Sequence, residues 1–166
     1  MSALEETTVA ALIATARDAS ARAYCPYSRF RVGAAVLTES GAIVAGCNVE
    51  NASYGLTMCA ERNAVFQAVA AGARRVRAVA VFTPTPRPTA PCGACRQVLN
   101  EFGDAEVISA CDGPEVARHS LADLLPNAFG PGNLQPGEST AQPEGSSDGG
   151  AGEGPDTPNM APPTRL

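Results

Sequence analysis

The sequence predicts an α/β fold, a single domain in which helices lie on the faces of a mixed β-sheet. Helical and strand periodicities alternate along residues 1–130 in the order α-β-β-α-β-α-β-α. The length of 166 residues fits one domain with a tail better than two domains. The composition changes sharply near Pro131, where we expect the folded domain to end.

A helix and a hairpin are predicted at the amino terminus. Residues 3–23 form an amphipathic helix, because apolar side chains recur at helical spacing at Val9, Leu12, Ile13 and Ala16. Residues 32–38 and 42–47 have the composition of two strands. Glu39-Ser40-Gly41 between them is typical of a turn.

The remaining elements alternate between helix and strand. A helix over residues 59–71 ends at Gly72, and a β-branched strand over residues 76–83 leads into a proline-rich stretch. Further along, the pattern predicts a helix over residues 92–102 ending at Gly103, a strand over 106–110 and a short helix over 121–125.

The segment 131–166 differs from the rest in composition. Proline and glycine make up 14 of its 36 residues, and it has no aromatic and no β-branched aliphatic residue. Five acidic residues against Arg165 give it -4 of the total net charge of -5. Such a segment buries too little apolar surface to offset its chain entropy, so we expect a disordered tail.

Charge and composition exclude several classes of protein. All 12 basic residues are arginine, which excludes a Schiff-base enzyme and a Walker-type phosphate loop because both need lysine. Residues 1–130 carry a net charge of -1, which does not suit a nucleic-acid binder. The sequence has neither an apolar run of transmembrane length nor the basic start of a secretion signal, so we expect a cytoplasmic protein without membrane contact.

Three of the six cysteines stand at the starts of predicted helices, namely Cys59, Cys92 and Cys95. Thiolates are favoured there because the first N–H groups of a helix lack partners and its dipole is positive. Three thiolates from two converging helices suit Zn²⁺ and leave a fourth position for water, as in a catalytic site.

An acidic residue accompanies this cysteine pattern. Glu61 follows Cys59 by two residues and is placed to take a proton from water at the metal. Cys59-Ala60-Glu61 together with Pro91-Cys92-Gly93-Ala94-Cys95 matches the pattern of zinc deaminases. Either half alone would be a weak signal.

Other interpretations of the same residues stay open at this point. Cys92 and Cys95 could form a redox pair, or a fourth cysteine could close a structural zinc site. The cysteines outside the pattern are expected to be buried free thiols; they are Cys25, Cys47 and Cys111. Glu61 could be only a favourable charge at a helix start, and His119 is expected at the surface.

At these residues the sequence closely resembles the cytidine deaminase family, of the small homotetrameric kind. The resemblance extends from Tyr24 to Gly130 and includes four specific motifs: residues 30–35 (FRVGAA), 46–51 (GCNVEN), 59–62 (CAER) and 91–97 (PCGACRQ). It implies that Cys59, Cys92 and Cys95 bind one Zn²⁺ per subunit and that Glu61 is the proton shuttle.

The resemblance also implies how a nucleoside would be held. Asn48 and Glu50 would bind the ribose 3′-hydroxyl, since an amide donates and a carboxylate accepts. Phe30, the Ala60 backbone and the Ala90 carbonyl would contact the base. The remaining implied roles are Phe129 closing a neighbouring subunit's site, Tyr54 near the subunit interface and Arg62 donating to the thiolate sulfurs.

The implied activity is hydrolytic deamination of cytidine and 2′-deoxycytidine, with a zinc-activated water and in pyrimidine salvage. One alternative is a nucleoside-antibiotic deaminase related to blasticidin S deaminase, which the pair Asn48 and Glu50 disfavours. A polynucleotide-editing deaminase is disfavoured by the near-neutral charge of residues 1–130. A zinc-stabilised binding module without catalysis would leave Glu61 unexplained.

Overall fold

The computed structural model describes residues 4–134, and these form one compact unit. Along them run four α-helices and five strands, in the predicted order with one strand added. The helices are α1 (Glu6–Ser20), α2 (Ala60–Ala70), α3 (Gly93–Glu101) and α4 (Leu121–Leu124). The strands are β1 (Gly33–Thr38), β2 (Ile43–Cys47), β3 (Val76–Thr83), β4 (Glu106–Cys111) and β5 (Val116–Ser120).

The strands form one mixed sheet in the order β2-β1-β3-β4-β5. β3 and β4 are parallel, with Val79 opposite Val107, and every other neighbouring pair is antiparallel. A parallel pair needs a crossover, and here the crossover is the segment 84–105 that contains α3. This confirms the predicted fold class, a mixed sheet with helices on its faces.

Alternation along the strands gives the sheet two apolar faces. Val79 and Val81 of β3 pack with α2, α3 and α4 on one face. Ala78, Ala80 and Phe82 pack with α1 on the other. Full burial of a leucine in such a core contributes about 1.5–3 kcal/mol, and Leu12 and Leu99 are both completely buried.

The helix ends differ from the predicted ones in a way that matters for the site. α2 and α3 begin at Ala60 and Gly93, so Cys59 and Cys92 are the N-cap residues and have extended backbone. An N-cap residue lies just outside the helix, beside its unpaired N–H groups. Gly72 and Gly103 end the two helices, each with positive φ.

One element was not predicted from sequence. β5 has the sequence VARHS, in which only the first two residues are apolar, and it pairs with β4 at the sheet edge. The first residues of the predicted disordered tail are ordered instead: Pro131–Leu134 forms a 3-10 helix. The predicted disorder of residues 135–166 lies outside the described residues.

Among residues 4–134, no helix combines the length and apolar character that crossing a bilayer demands.

Candidate metal centre and active site

Three cysteine sulfurs converge where α2 and α3 begin. The Sγ atoms of Cys59 and Cys92 are 3.9 Å apart, those of Cys92 and Cys95 are 3.5 Å apart, and all three lie within 4.8 Å of one another. Sulfurs bound tetrahedrally to one Zn²⁺ at about 2.3 Å are separated by about 3.8 Å. The donor set and its spacing therefore fit one zinc ion.

The charges around these sulfurs favour thiolate at Cys59. Hydrogen bonds from the Cys95 thiol and the Arg62 guanidinium lower the pKa of Cys59 to about 5. The same hydrogen bond to Cys59 raises the pKa of Cys95, so the pair shares one proton between two sulfurs. Metal ligation by cysteine needs the thiolate form, which this arrangement provides readily at Cys59.

Glu61 lies in the first turn of α2, next to the thiol cluster. Its side chain is only 4% exposed although it is acidic. Burial raises the pKa of the Glu61 carboxyl, and the Cys59 thiolate raises it further. A raised pKa makes a carboxyl a better proton acceptor than an exposed one, which suits a general acid-base group.

Arg62 supplies the positive charge of the site. Its Nη2 lies 3.4 Å from the Cys59 sulfur, so the guanidinium donates to a predicted metal ligand, the geometry the sequence resemblance implied. Its Nε is buried without a hydrogen-bond partner within residues 4–134. This half-buried cation beside the Cys59 and Cys95 sulfurs offsets negative charge that would otherwise accumulate there.

Asn48 and Glu50 follow β2 and both face the segment 27–32. The buried Asn48 amide donates to the Phe30 carbonyl (2.9 Å) and accepts from the Val32 N–H (2.8 Å). The Glu50 carboxylate accepts from the backbone N–H groups of Tyr27 (2.8 Å) and Ser28 (3.2 Å). Their spacing of two residues thus directs both side chains the same way.

A pocket of about 400 Å³ opens beside Glu50. It is lined by Tyr27, Ser28, Glu50, Tyr54 and Thr57, and the two tyrosine ring centroids are 5.7 Å apart. Hydrogen bonding to Ser28 and to the Tyr27 N–H holds the pKa of the Glu50 carboxyl below its ordinary value. The pocket therefore has a carboxylate at its wall.

A pair of backbone hydrogen bonds connects this polar segment to the thiol cluster. Val49 and Met58 exchange N–H···O bonds of 2.9 Å in each direction. Met58 immediately precedes Cys59, and Val49 lies between Asn48 and Glu50. The residues predicted to hold a sugar are therefore fixed relative to the predicted metal ligands through the main chain.

The remaining predicted site residues lie in different environments. Ala60 is completely buried at the start of α2, whereas Ala90 is exposed in the loop before Cys92. Phe30 and Phe129 are 42% and 58% exposed, so neither ring is buried in the core. The Phe129 carbonyl accepts hydrogen bonds from Gln97 (2.8 Å) and Asn100 (3.2 Å) of α3.

The chain is similar to proteins of a known family. A family model described as the cytidine and deoxycytidylate deaminase zinc-binding region matches residues 6–111, more than half of the chain. The chain belongs to this deaminase family. The zinc-binding family and the three-sulfur cluster agree on the cofactor, and Cys59, Cys92 and Cys95 are the residues that could hold one ion.

Two curated cytidine deaminases match this chain over most of their own length. Cytidine deaminase from Halalkalibacterium halodurans is 49% identical over 120 residues, which cover 71% of this chain and 91% of that protein. Cytidine deaminase from Mycobacterium tuberculosis is 50% identical over 115 residues, 69% of this chain and 84% of that protein. The match supports a zinc-dependent hydrolytic deaminase.

Solved structures agree with the fold of this deaminase. A crystal structure of cytidine deaminase from Burkholderia pseudomallei has a TM-score of 0.70 and 52% identity, covering 72% of this chain and 98% of that one. The structure of cytidine deaminase from Mycobacterium tuberculosis has a TM-score of 0.65 and 48% identity, covering 74% and 97%.

The cysteines outside the cluster of this deaminase are free, as predicted. Cys111 is buried as expected, whereas Cys25 and Cys47 are only half-buried. His119 is exposed on β5, which confirms its expected surface position.

Sequence reasoning missed Tyr27, Ser28 and Thr57, which line the pocket beside Glu50. All three lie in the stretch from Tyr24 to Gly130 that resembles the family, but nothing in their spacing indicated a role.

Proposed function

We propose that the chain hydrolyses cytidine and 2′-deoxycytidine to uridine and 2′-deoxyuridine with release of ammonia. The observation that carries the proposal is the buried Glu61 carboxyl beside the three converging sulfurs. Relatives with about half of their residues identical are named cytidine deaminases, which supports the choice of nucleoside.

Glu61 would move each proton of the reaction. When bound, zinc supplies Lewis-acid chemistry by lowering the pKa of water in the site. Glu61 takes a proton from the attacking water as the C4–O bond forms, and gives it to N3 of the base. A second proton passes from the new C4 hydroxyl through Glu61 to the amine. The C4–N bond then breaks, and ammonia and the uracil carbonyl result.

The sugar would be held by Asn48 and Glu50. One hydrogen of the Asn48 amide nitrogen bonds the Phe30 carbonyl, which leaves the second hydrogen for a hydroxyl oxygen. The Glu50 carboxylate accepts two backbone N–H groups and retains lone pairs for a hydroxyl proton. Contacts with the 3′-hydroxyl suit both nucleosides, since these differ only at the 2′ position.

The base would lie against Phe30, with the Ala60 backbone along the pyrimidine and the Ala90 carbonyl accepting from the exocyclic amine. We further propose a homotetramer in which Phe129 closes a neighbouring subunit's site and Tyr54 lies near the interface. The exposure of the Phe30, Tyr54 and Phe129 rings supports this assembly. A cytoplasmic role in pyrimidine salvage, without nucleic-acid partners, completes the proposal.

The test is the ultraviolet absorbance of cytidine incubated with zinc-loaded protein, together with ammonia release. We expect conversion to uridine that a chelator abolishes. Glu61→Gln and Glu61→Ala should keep zinc and lose at least about 10²-fold in kcat, the usual contribution of a general acid-base group. Glu101→Gln on the exposed surface of α3 is the matched control.

Near-normal turnover by Glu61→Gln would overturn the proton-transfer role. If folded, zinc-replete wild-type protein does not convert cytidine, the proposed substrate is wrong. A nucleoside antibiotic would then be tried next. Failure there as well would indicate a zinc-stabilised binding module.

A further inference from the structure

Three threonine hydroxyls meet beneath the loop that leads to Cys92. Thr83, the last residue of β3, is completely buried. Its Oγ1 lies 2.7 Å from Oγ1 of Thr85 and 3.2 Å from Oγ1 of Thr89. The Thr83 hydroxyl thus connects the beginning of the loop 84–91 with the residue before Ala90.

Counting protons fixes the direction of these hydrogen bonds. The Thr85 hydroxyl donates its one proton to the Arg87 carbonyl at 2.8 Å. Thr83 must therefore donate to Thr85, and its own lone pair accepts the proton of Thr89. The result is a directional chain from Thr89 through Thr83 and Thr85 to a backbone carbonyl, in which every hydroxyl donates once.

The loop has few other means of being held. Prolines at positions 84, 86, 88 and 91 have no N–H to donate. The Asp112 N–H donates to the Thr85 carbonyl at 3.1 Å, and Arg96 Nε donates to the Pro91 carbonyl at 2.7 Å. The Cys111 thiol also donates to the Pro86 carbonyl at 3.7 Å, and the hydroxyl chain adds the link from β3 to Thr89.

Ala90 lies between the two secured points, Thr89 and Pro91. Ala90 is exposed, and its carbonyl oxygen accepts none of the hydrogen bonds formed within residues 4–134. The Ala90 carbonyl oxygen is therefore free to accept a hydrogen bond from a ligand. The neighbouring residues determine the direction in which this carbonyl points.

We propose that Thr83 is a positioning residue, whose buried hydroxyl holds the 84–91 loop so that the Ala90 carbonyl is aimed at the substrate's exocyclic amine. The inference rests on the proposed function for the identity of that amine. Orientation matters because a displacement of about 1 Å costs up to about 10²-fold in rate. Thr83 contacts no substrate atom and acts only through the loop.

The variants are chosen to remove one hydroxyl at a time. Thr83→Val keeps the shape of the side chain and removes the hydroxyl, whereas Thr83→Ser keeps the hydroxyl. Thr89→Val breaks the same chain from the loop side and leaves β3 intact, in case Thr83→Val does not fold. Thr38→Val is the matched control, because Thr38 is also a buried threonine at a strand end but bonds Ser40 and Ala42.

Two readouts separate bracing of the loop from amine recognition. Hydrogen exchange at the Asp112 amide in zinc-loaded protein reports on the loop directly, without turnover. The second readout compares kcat/KM for cytidine with the inhibition constant of uridine, which has no exocyclic amine. Zinc content is measured in every variant, because Cys92 lies close behind Ala90.

In Thr83→Val and Thr89→Val, we expect the Asp112 amide hydrogen to exchange faster than in the wild type. We also expect kcat/KM for cytidine to fall about tenfold, the equivalent of about one buried hydrogen bond. Zinc content and uridine inhibition should be unchanged, and Thr83→Ser should restore activity. Unchanged exchange in both valine variants would overturn the bracing. Equal losses for cytidine and uridine would overturn the aiming of Ala90.

Failure of the proposed function gives a different result. Wild-type protein would then not convert cytidine. The proposal that the Ala90 carbonyl is aimed at an amine would be contradicted by the same result. The exchange measurement would still decide whether the Thr83 hydroxyl braces the loop.

Discussion

The Nη2 atom of Arg62 donates a hydrogen bond to the Sγ atom of Cys59, 3.4 Å away, across the first turn of α2. The two residues are three positions apart, a spacing that places side chains on the same face of a helix. A cation thus lies in the same turn as Glu61 and a cysteine that could bind the metal. We therefore expect zinc binding by the three-sulfur cluster to depend on this charge.

Replacing Arg62 with glutamine tests that dependence. Arg62→Gln removes a positive charge that helps to lower the pKa of Cys59, so a proton competes better with zinc for that sulfur. We expect apparent zinc affinity at pH 7 to fall about 10- to 100-fold, measured by competition with a chromogenic chelator. Arg77→Gln, on the exposed side of β3, should retain wild-type affinity. Equal affinities in the two variants would contradict the role of Arg62.

Gly46 sets the distance between β2 and α2. A Cβ at Gly46 would lie 2.4 Å from the Ala64 nitrogen and 2.5 Å from the Ala60 oxygen, so α2 would have to move. We expect Gly46→Ala to lower the free energy of unfolding by about 1–3 kcal/mol and to reduce zinc content, because Cys59 moves with α2. Gly55→Ala, where a Cβ meets nothing within 4 Å, is the control for denaturant melts. Unchanged stability would show that the helix adjusts freely.

Glu50 should stabilise the fold above about pH 5 and lose this contribution at acidic pH. Hydrogen bonds lower its pKa in the folded protein below the ordinary value of 4.5, so the folded state favours the ionised form. Its contribution is therefore present above pH 4.5 and is lost as the pH falls through the lower, folded-state pKa.

The difference in unfolding free energy between wild type and Glu50→Gln should accordingly be constant above about pH 5 and shrink toward pH 3. Denaturant titrations across this range measure it, and Glu101→Gln provides the baseline for an exposed glutamate. A difference that grows on acidification would have the wrong sign.

Gln97 should act on substrate binding through Phe129. Its amide donates to the Phe129 carbonyl, so Gln97→Met removes the shorter of the two hydrogen bonds from α3 that hold this carbonyl and leaves the one from Asn100. Because we propose that the Phe129 ring closes over the base in a neighbouring subunit, we expect KM for cytidine to rise several-fold, about 1 kcal/mol, with little change in kcat. Gln67→Met removes a comparable amide bond, to the Ala45 carbonyl, and should leave KM unchanged. A fall in kcat with constant KM would exclude this role.

Much of the fold could be predicted because its local signals agree with one another. β3 runs from Val76 to Thr83 as predicted, since a β-branched run bounded by prolines suits a buried central strand. The edge strand β5 could not be predicted, because a short strand with exposed polar residues has no periodic apolar pattern. Its strand conformation comes from pairing with β4.

The sequence by itself determined which residues could bind zinc and move a proton, because short motifs at helix starts specify both residue types and local spacing. Cys59 and Cys92 are 33 positions apart, and only the packing of α2 against α3 on one face of the sheet brings their sulfurs within 3.9 Å. The tertiary structure likewise decided that Asn48 and Glu50 bind the 27–32 segment and that Thr83 lies under the Ala90 loop. Such contacts join elements distant in the chain, and their geometry follows from burial of the core rather than from local propensity.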